Sequence, residues 1–299
     1  MQKIQVIQLK STSTFAAKLA DYKQLFKLRL TLLVVFSAAF GFVMASGGSS
    51  FDWMGLTLIC VGGFLVVAAS NGLNQVIERN YDILMTRTEN RPVAAGRMGI
   101  AEASLSSLIA GVIGIAILGL YFNQLTGILS FISLALYAFV YTPLKRIHPV
   151  NVFVGAIPGA LPPMLGWTAV TNNLDSMCIA LFMIQFFWQF VHFWSIAWLL
   201  DDDYKKAGFK MLPKTGRSKA TAMQIFVYAA MLIPCGLLPL QLGKAGTVSA
   251  ILATVAALYV LFRAARLLKT CDAKEAKQIM FSSYIYLTVT QIAYMIDKI

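Results

Sequence analysis

Long apolar runs separated by short polar stretches dominate the chain. A helix needs about 17–25 mostly apolar residues to cross a bilayer, and nine runs qualify, near residues 27–46, 53–73, 101–122, 125–142, 150–171, 176–200, 220–242, 246–268 and 278–297. Lipid offers the backbone no hydrogen-bond partner, so each span should be helical. The pattern predicts an all-α integral membrane protein, a nine-transmembrane-helix bundle that forms one domain over residues 1–299.

Composition and charge agree with this prediction and add an orientation. The chain is 58% hydrophobic and 13% charged, whereas soluble proteins carry about 25% charged residues. Of its 25 lysines and arginines, all but Lys244 and Lys298 lie in connections on one side of the predicted bundle. Positive loops stay in the cytoplasm, which predicts a cytoplasmic N-terminus, a C-terminus outside and a cavity facing the cytoplasm. The net charge of +12 therefore reflects topology rather than nucleic-acid binding.

The first 25 residues carry lysines and few acids. They contain no apolar core with a small-residue cleavage site, so they do not resemble a secretory signal. We expect this arm to be a basic amphipathic segment on the anionic inner leaflet. The cell inner membrane of a bacterium is the favoured location.

Polar residues continue directly from the second span. Asn74, Glu78 and Asp82 follow helical spacing and share one face. They extend over about 12 Å at 1.5 Å per residue, too far for all three to bind one ion. Hard oxygen donors with few protein ligands per ion favour Mg²⁺, so we expect them to be divided between two ions and the oxygens of a diphosphate. The alternative is a helix extension whose charges are merely solvated.

Basic residues follow this acidic face. Arg87 and Arg91 can bind phosphate oxygens through their guanidinium forks, and Pro92 predicts that the helix ends at Arg91. Lys145 and Arg146, just before the fifth span, could complete a diphosphate site. All four could instead be charges that only set the topology.

A second acidic cluster ends the sixth span and repeats the order of the first. Asp201, Asp202 and Asp203 precede basic residues that include Lys210. Adjacent acids cannot all point one way on a helix, so Asp202 and Asp203 are the predicted ligands and Asp201 is expected to be solvated. The two clusters are predicted to be half-sites that face each other across a cavity.

The spans between these clusters also carry unusual residues. Gln185, Gln189 and His192 form a polar stripe in the sixth span, which must face the bundle interior or a cavity. His192 could ligate iron, assist proton transfer or bond a neighbour. The fifth span is rich in glycine and proline, which predicts a kinked or broken helix lining the cavity.

Together these motifs resemble the intramembrane prenyltransferase (UbiA) superfamily over nearly the whole chain. The residues that carry the resemblance are Asn74-x3-Glu78-x3-Asp82, Arg87-Thr-x2-Arg91-Pro92, Tyr141-Thr-Pro-Leu-Lys-Arg146, Gly155-Ala-Ile-Pro-Gly-Ala-Leu-Pro-Pro163, Trp188-Gln-x2-His192-Phe193 and Asp203-Tyr-x2-Ala-Gly208. Quinone-type members usually have Asn-Asp where this chain has Asn74-Gln75. The motifs are most similar to those of members that act on heme. Val191 stands where those members typically have proline.

The resemblance implies a reaction. The farnesyl group of farnesyl diphosphate would pass to a vinyl group of heme b, with addition of water, to give heme O. Mg²⁺ held by Asn74, Glu78, Asp82 and Asp203 would neutralise the diphosphate, and heme b would be a substrate positioned by Trp188 and His192. Basic residues would bind the diphosphate: Arg87, Arg91, Lys145, Arg146 and Lys210. The lipid bilayer surrounds the site, and a downstream heme-modifying enzyme is a candidate partner.

Two other functions stay open at this point. A related enzyme could prenylate another aromatic or tetrapyrrole acceptor. A secondary transporter could also have broken helices and charges within the membrane, but its site would lie near the bilayer midplane. Here both acidic clusters lie at one membrane face, which favours the enzyme.

Overall fold

The computed structural model describes residues 14–47, 51–213 and 216–299, and helices occupy most of these ranges. The helices in chain order are α1 (Phe15–Leu25), α2 (Leu28–Ala45), α3 (Trp53–Asp82), α4 (Ile100–Ala116), α5 (Gln124–Ala135), α6 (Thr142–Ile147), α7 (Asn151–Thr171), α8 (Ser176–Lys206), α9 (Lys219–Gln241), α10 (Thr247–Thr270) and α11 (Ala273–Ile296). π-helical segments extend α4 over Ile117–Phe122 and join α5 to α6 over Leu136–Tyr141.

Within the described ranges, nine helices are long and apolar enough to cross a membrane, as the hydrophobic pattern predicted. The second and sixth of these spans, α3 and α8, continue in helical form beyond their apolar parts to Asp82 and Lys206. Both acidic clusters therefore lie on rigid helix ends. Of the predicted N-terminal arm, residues 1–13 lie outside the described ranges, and α1 occupies most of the remainder.

The opposite ends of α3 and α8 begin at side-chain caps. The Asp52 carboxylate accepts a hydrogen bond from the Gly55 N–H at 2.7 Å, and Asp175 accepts from the Cys178 N–H at 2.9 Å. Each carboxylate satisfies an N–H that has no partner inside its helix. The caps fix where each long helix starts, and so where its polar end lies.

Close helix contacts bring the spans together around one interior space. Helix α2 packs against α3, α7 and α11, while α8 packs against α7, α9 and α11. Gly41 of α2 and Gly166 of α7 lie so close to the facing backbone that an added Cβ would overlap the Pro163 and Ala38 carbonyl oxygens, respectively. Small residues allow this approach of two membrane helices.

The proline-rich span, α7, is helical from Asn151 to Thr171 even though Pro158, Pro162 and Pro163 lie inside it. It is therefore not broken. Proline lacks an N–H and leaves an upstream carbonyl without its helical partner, and the Ser133 hydroxyl of a neighbouring helix donates to the Pro158 carbonyl at 3.3 Å. The predicted role of this span in lining a cavity is confirmed.

The end of α3 differs from the prediction. The helix stops at Asp82 rather than at Arg91, and residues 83–98 follow as turns. The Thr88 hydroxyl donates to the Asp82 carbonyl at 2.9 Å, so the chain folds back over the helix end. This fold, and not a helix extension, brings Arg91 to the acidic face of α3.

Candidate active site

The polar face of α3 is buried and paired. Asn74, Glu78 and Asp82 are 1%, 3% and 0% exposed, which excludes a merely solvated extension. Lys145 Nζ lies 2.7 Å from Glu78 Oε1. The Asn74 amide donates to the Thr142 hydroxyl at 3.1 Å. Two polar side chains of α6 thus fix it against α3.

Arg91 holds the two carboxylates from the other side. Its Nη1 lies 2.8 Å from both oxygens of Asp82 and 3.9 Å from Glu78 Oε2. A charged donor shared by two buried carboxylates offsets the cost of burying them. Arg91 thus lies at the acidic face, and its predicted role in binding diphosphate stays a prediction.

The two acidic half-sites meet through Asp203. Its carboxylate accepts hydrogen bonds from the backbone N–H groups of Thr86 at 3.0 Å and Arg87 at 3.4 Å, and Lys206 Nζ lies 3.1 Å away. The end of α8 therefore holds the turns that follow α3. The sequence predicted half-sites that face each other across a cavity, and at this point the two segments are in direct contact.

The neighbouring acids behave differently from the sequence expectation. Asp201 is buried rather than solvated, because its carboxylate pairs with Lys205 at 2.6 Å and lies 3.9 Å from Arg217. The Asp202 side chain is 75% exposed and pairs with Arg217 at 2.9 Å. Of the two acids predicted as ligands here, the structure brings Asp203 to the turns after α3, while Asp202 lies beside Arg217.

The other predicted phosphate-binding cations surround this cluster on its exposed side. The Arg146 guanidinium lies 4.0 Å from the Tyr81 ring centroid and donates to its hydroxyl at 2.5 Å. Arg87 lies 5.8 Å from the Tyr204 ring. Lys210 donates from Nζ to the Ile147 carbonyl at 3.0 Å, and its backbone N–H donates to the Lys145 carbonyl at 2.7 Å.

Lys27 belongs to the same cluster, although the sequence pattern did not predict this. It precedes α2 in a left-handed conformation with φ of 46°, and its Nζ lies 3.4 Å from Asn74 Oδ1. Burial, with the neighbouring charges of Arg91 and Lys145, lowers the pKa of Lys27 well below its usual range. From sequence alone, a lysine just before the first span could not be told apart from an ordinary topology charge.

Next to this charged cluster lies a mostly apolar cavity of about 240 Å³ inside the bundle. Asn71, one helical turn before Asn74, lines it, and so does Tyr141, whose ring centroid is 4.6 Å from Lys145 Nζ. Leu33 and Phe36 of α2 also line the cavity and are exposed. A charged head and an apolar tail could therefore bind in adjoining spaces.

The polar stripe of α8 faces this cavity, as predicted. Gln185, Gln189, Trp188 and His192 all line it. The rings of Trp188 and His192 stack with centroids 4.9 Å apart at 11°. α8 is helical throughout Ser176–Lys206, so Val191 introduces no break before His192.

Hard oxygen donors for a metal are present, but they are spread out. In the part of the chain that the structure describes, no three histidine, cysteine, aspartate or glutamate side chains are grouped closely enough to hold a metal ion. Asn74, Glu78 and Asp82 instead lie in sequence along one helix face, and Asp203 binds the turns that follow this helix. Such a donor set fits Mg²⁺ that takes most of its ligands from phosphate and water.

Comparison with known proteins agrees with this geometry. Residues 34–286 match the model of the UbiA prenyltransferase family. The chain is 45% identical over 285 residues to the protoheme IX farnesyltransferase of Cytophaga hutchinsonii, covering 95% of this chain and 99% of that protein. It is 32% identical over 282 residues to the mitochondrial protoheme IX farnesyltransferase of Arabidopsis thaliana, covering 93% of this chain and 65% of the plant protein.

Solved structures share the fold at low sequence identity. A digeranylgeranylglyceryl phosphate synthase aligns with a TM-score of 0.78 at 19% identity over 94% of this chain and 98% of that one. A UbiA homolog from Archaeoglobus fulgidus, bound to GPP and Mg²⁺, aligns with a TM-score of 0.69 at 17% identity over 92% of this chain and 99% of that one.

Proposed function

The chain belongs to the UbiA prenyltransferase family, and on that premise we propose that it transfers the farnesyl group of farnesyl diphosphate to a vinyl group of protoheme IX, heme b, to give heme O. The strongest support is the charged cluster, in which cations pair with the buried carboxylates, next to an apolar cavity lined by His192. The names of the relatives at 45% identity support heme as the acceptor.

The charged cluster is suited to bind and stabilise a diphosphate. Glu78 and Asp82 already pair with Lys145 and Arg91. Arg87 and Arg146 add further positive charge around them, Lys27 Nζ lies beside Asn74, and Lys210 binds the end of α6. Fixed cations stabilise the charge that develops on a leaving diphosphate, which is usually the largest contribution to such catalysis.

Mg²⁺ would be held by Asn74, Glu78, Asp82 and Asp203. A role for Asp202 as a further metal ligand stays a prediction. Bound Mg²⁺ would supply positive charge to the diphosphate oxygens. Binding there would have to compete with Arg91 and Lys145 for the same carboxylates, so the cations would turn toward the diphosphate as it enters.

The proposed reaction breaks one C–O bond and forms one C–C bond and one new C–O bond. The C–O bond of farnesyl diphosphate breaks, and diphosphate leaves with the electron pair. The vinyl π electrons of heme form the new C–C bond to the farnesyl carbon. A water oxygen then adds to the resulting cation next to the porphyrin and releases one proton. The apolar walls of the cavity would limit premature capture of the allylic cation by water.

We place this site on the cytoplasmic face of the bacterial inner membrane. The acidic clusters and nearly all lysines and arginines lie on that side of the spans, and positive connections remain in the cytoplasm. Farnesyl diphosphate could then enter with its head toward the cytoplasm and its tail among the helices. Heme O would leave for a downstream heme-modifying enzyme.

Product mass tests the proposal. Purified protein is incubated with farnesyl diphosphate, Mg²⁺ and heme b, and separately with 4-hydroxybenzoate as acceptor. The expected result is a hydroxyethylfarnesyl heme in the first reaction, lost when EDTA removes the metal. A prenylated benzoate without any farnesylated heme would overturn the choice of acceptor, and no prenylated product with either acceptor would overturn the proposed reaction.

A further inference from the structure

Ser283 of α11 contacts two aromatic residues of α8 that line the cavity, Trp188 and His192. Its backbone carbonyl accepts a hydrogen bond from Trp188 Nε1 at 2.6 Å, and its hydroxyl lies 2.9 Å from His192 Nδ1. Ser283 itself is fully buried. One residue thus fixes two rings that lie one helical turn apart.

The proton positions follow from the partners of the Ser283 hydroxyl. A serine hydroxyl has a single proton to donate, and that of Ser283 points to the Met280 carbonyl at 2.7 Å. With that proton directed to Met280, the Ser283 oxygen is free to accept from His192, and this arrangement places the imidazole proton on Nδ1. A neutral imidazole with its proton on Nδ1 carries its free lone pair on Nε2.

The surroundings hold the ring in this orientation. Trp188 stacks on one face of His192, and the Tyr284 ring meets it nearly edge-on with centroids 4.3 Å apart at 69°. His192 is 3% exposed and lines the cavity. Rotation of the imidazole would break both the stacking and the bond to Ser283.

We propose that Ser283 is a positioning residue that sets the tautomer and orientation of His192, so that the His192 Nε2 lone pair contacts the iron of the heme acceptor. The inference rests on the proposed function, because it assumes heme as the acceptor. Metal-binding histidines almost always donate their other N–H to a fixed acceptor in this way. Trp188 and Tyr284 would hold the imidazole while the porphyrin binds.

Heme binding without turnover tests this role. Purified wild-type protein is titrated with ferric protoheme IX in the absence of farnesyl diphosphate, and the Soret band and the electron paramagnetic resonance spectrum are recorded. The wild type should show a nitrogen-ligated iron, and His192→Ala should lose that signature. Ser283→Ala should weaken heme binding by about 10- to 100-fold, the usual effect of losing such a partner, and should change the spectrum.

Two variants separate positioning from general stability. Ser282→Ala removes an adjacent buried hydroxyl that bonds the Ile279 carbonyl, and it should leave heme affinity and spectrum as in the wild type. Ser283→Thr keeps a hydroxyl and should restore the wild-type spectrum. Thermal unfolding identifies any variant that fails to fold.

Several results would overturn the inference. A Ser283→Ala protein with wild-type heme affinity and spectrum, beside a His192→Ala protein that has lost them, would show that Ser283 does not position the ring. A wild-type spectrum without a nitrogen ligand would remove the iron contact itself. In both cases the wild-type protein would still form farnesylated heme if the proposed function is correct, so the product assay distinguishes the two failures.

Discussion

Lys145 Nζ lies 2.7 Å from Glu78 Oε1, and both side chains are almost completely buried. The pair joins α6 to the polar face of α3 beside the cavity. Burying two charges is costly, and their attraction offsets that cost only while both partners are present. The site therefore has its cations and carboxylates in place before any substrate binds.

Removing one partner should destabilise the protein more than removing both. Lys145→Met leaves the Glu78 carboxylate with only the more distant Arg91 at 3.9 Å, and we expect a loss of about 3–5 kcal/mol in the free energy of unfolding. The double variant Glu78→Gln/Lys145→Met should regain most of that stability without regaining turnover. Unfolding in detergent and product formation measure both quantities. A double variant as unstable as the single one would contradict the account.

The close packing of α2 against α7 predicts that a larger residue at Gly166 destabilises the protein. In Gly166→Ala the new methyl group would overlap the Ala38 carbonyl oxygen and the Phe42 backbone nitrogen, neither of which can move without shifting α2. We expect the free energy of unfolding to fall by about 1–3 kcal/mol.

Gly63→Ala is the matched control, because its methyl group would meet only Ala38 Cβ, at 3.9 Å. It should be neutral or stabilise by up to about 1 kcal/mol, since alanine favours a helix over glycine. Equal losses of stability in the two variants would show that the close helix approach is not the cause.

Much of this architecture could be predicted from the sequence because it depends on periodic patterns. The nine apolar runs predicted the nine spans found in the described ranges, and helical spacing placed Asn74, Glu78 and Asp82 on one face. Family motifs predicted the prenyltransferase fold, which the comparisons confirm.

Features that depend on tertiary contacts could not be predicted in this way. The environments of the three adjacent aspartates depend on Arg217, Lys205 and the turns after α3. The sequence does not show these partners, and so the expectation that Asp201 is solvated was wrong. The early end of α3 depends on a bond from Thr88. The sequence did not indicate a role for Ser283, because an isolated serine in an apolar helix is common and the rings that it contacts belong to α8.

The two aspartates put forward as ligands in the second cluster should differ in their effect. Asp203→Asn replaces a carboxylate that accepts from the Thr86 and Arg87 N–H groups. Hydrogen bonds to a charged group contribute about 1.5–3 kcal/mol, so turnover should fall by roughly 10- to 100-fold, with a higher Mg²⁺ requirement.

Asp202→Asn should have a much smaller effect on turnover, because its side chain is exposed and pairs with Arg217. Turnover measured across a Mg²⁺ titration compares the two variants. Equal shifts in the Mg²⁺ requirement would place Asp202 in the metal site beside Asp203.

Lys27 should act on the diphosphate and not on the acceptor. Its Nζ lies 3.4 Å from Asn74 Oδ1, in the same cluster as Arg91 and Lys145, and burial together with these charges lowers its pKa. A bound diphosphate, being anionic, would favour the protonated form of Lys27. Lys27→Met removes this amine from the expected position of the diphosphate. A charge-assisted hydrogen bond contributes about 1.5–3 kcal/mol, so kcat/KM for farnesyl diphosphate should fall by roughly 10- to 100-fold, while the Kd for heme stays unchanged.

Lys23→Met provides the comparison, because Lys23 is an exposed lysine on α1, four residues earlier in the chain. It removes the same charge from the same side of the membrane without touching the cluster, so its kinetics should match the wild type. If Lys27→Met and Lys23→Met behaved alike, Lys27 would be only a topology charge. If Lys27→Met instead weakened heme binding, the cation would belong to the acceptor side of the cavity, and the diphosphate would have to bind nearer to Arg87 and Arg146.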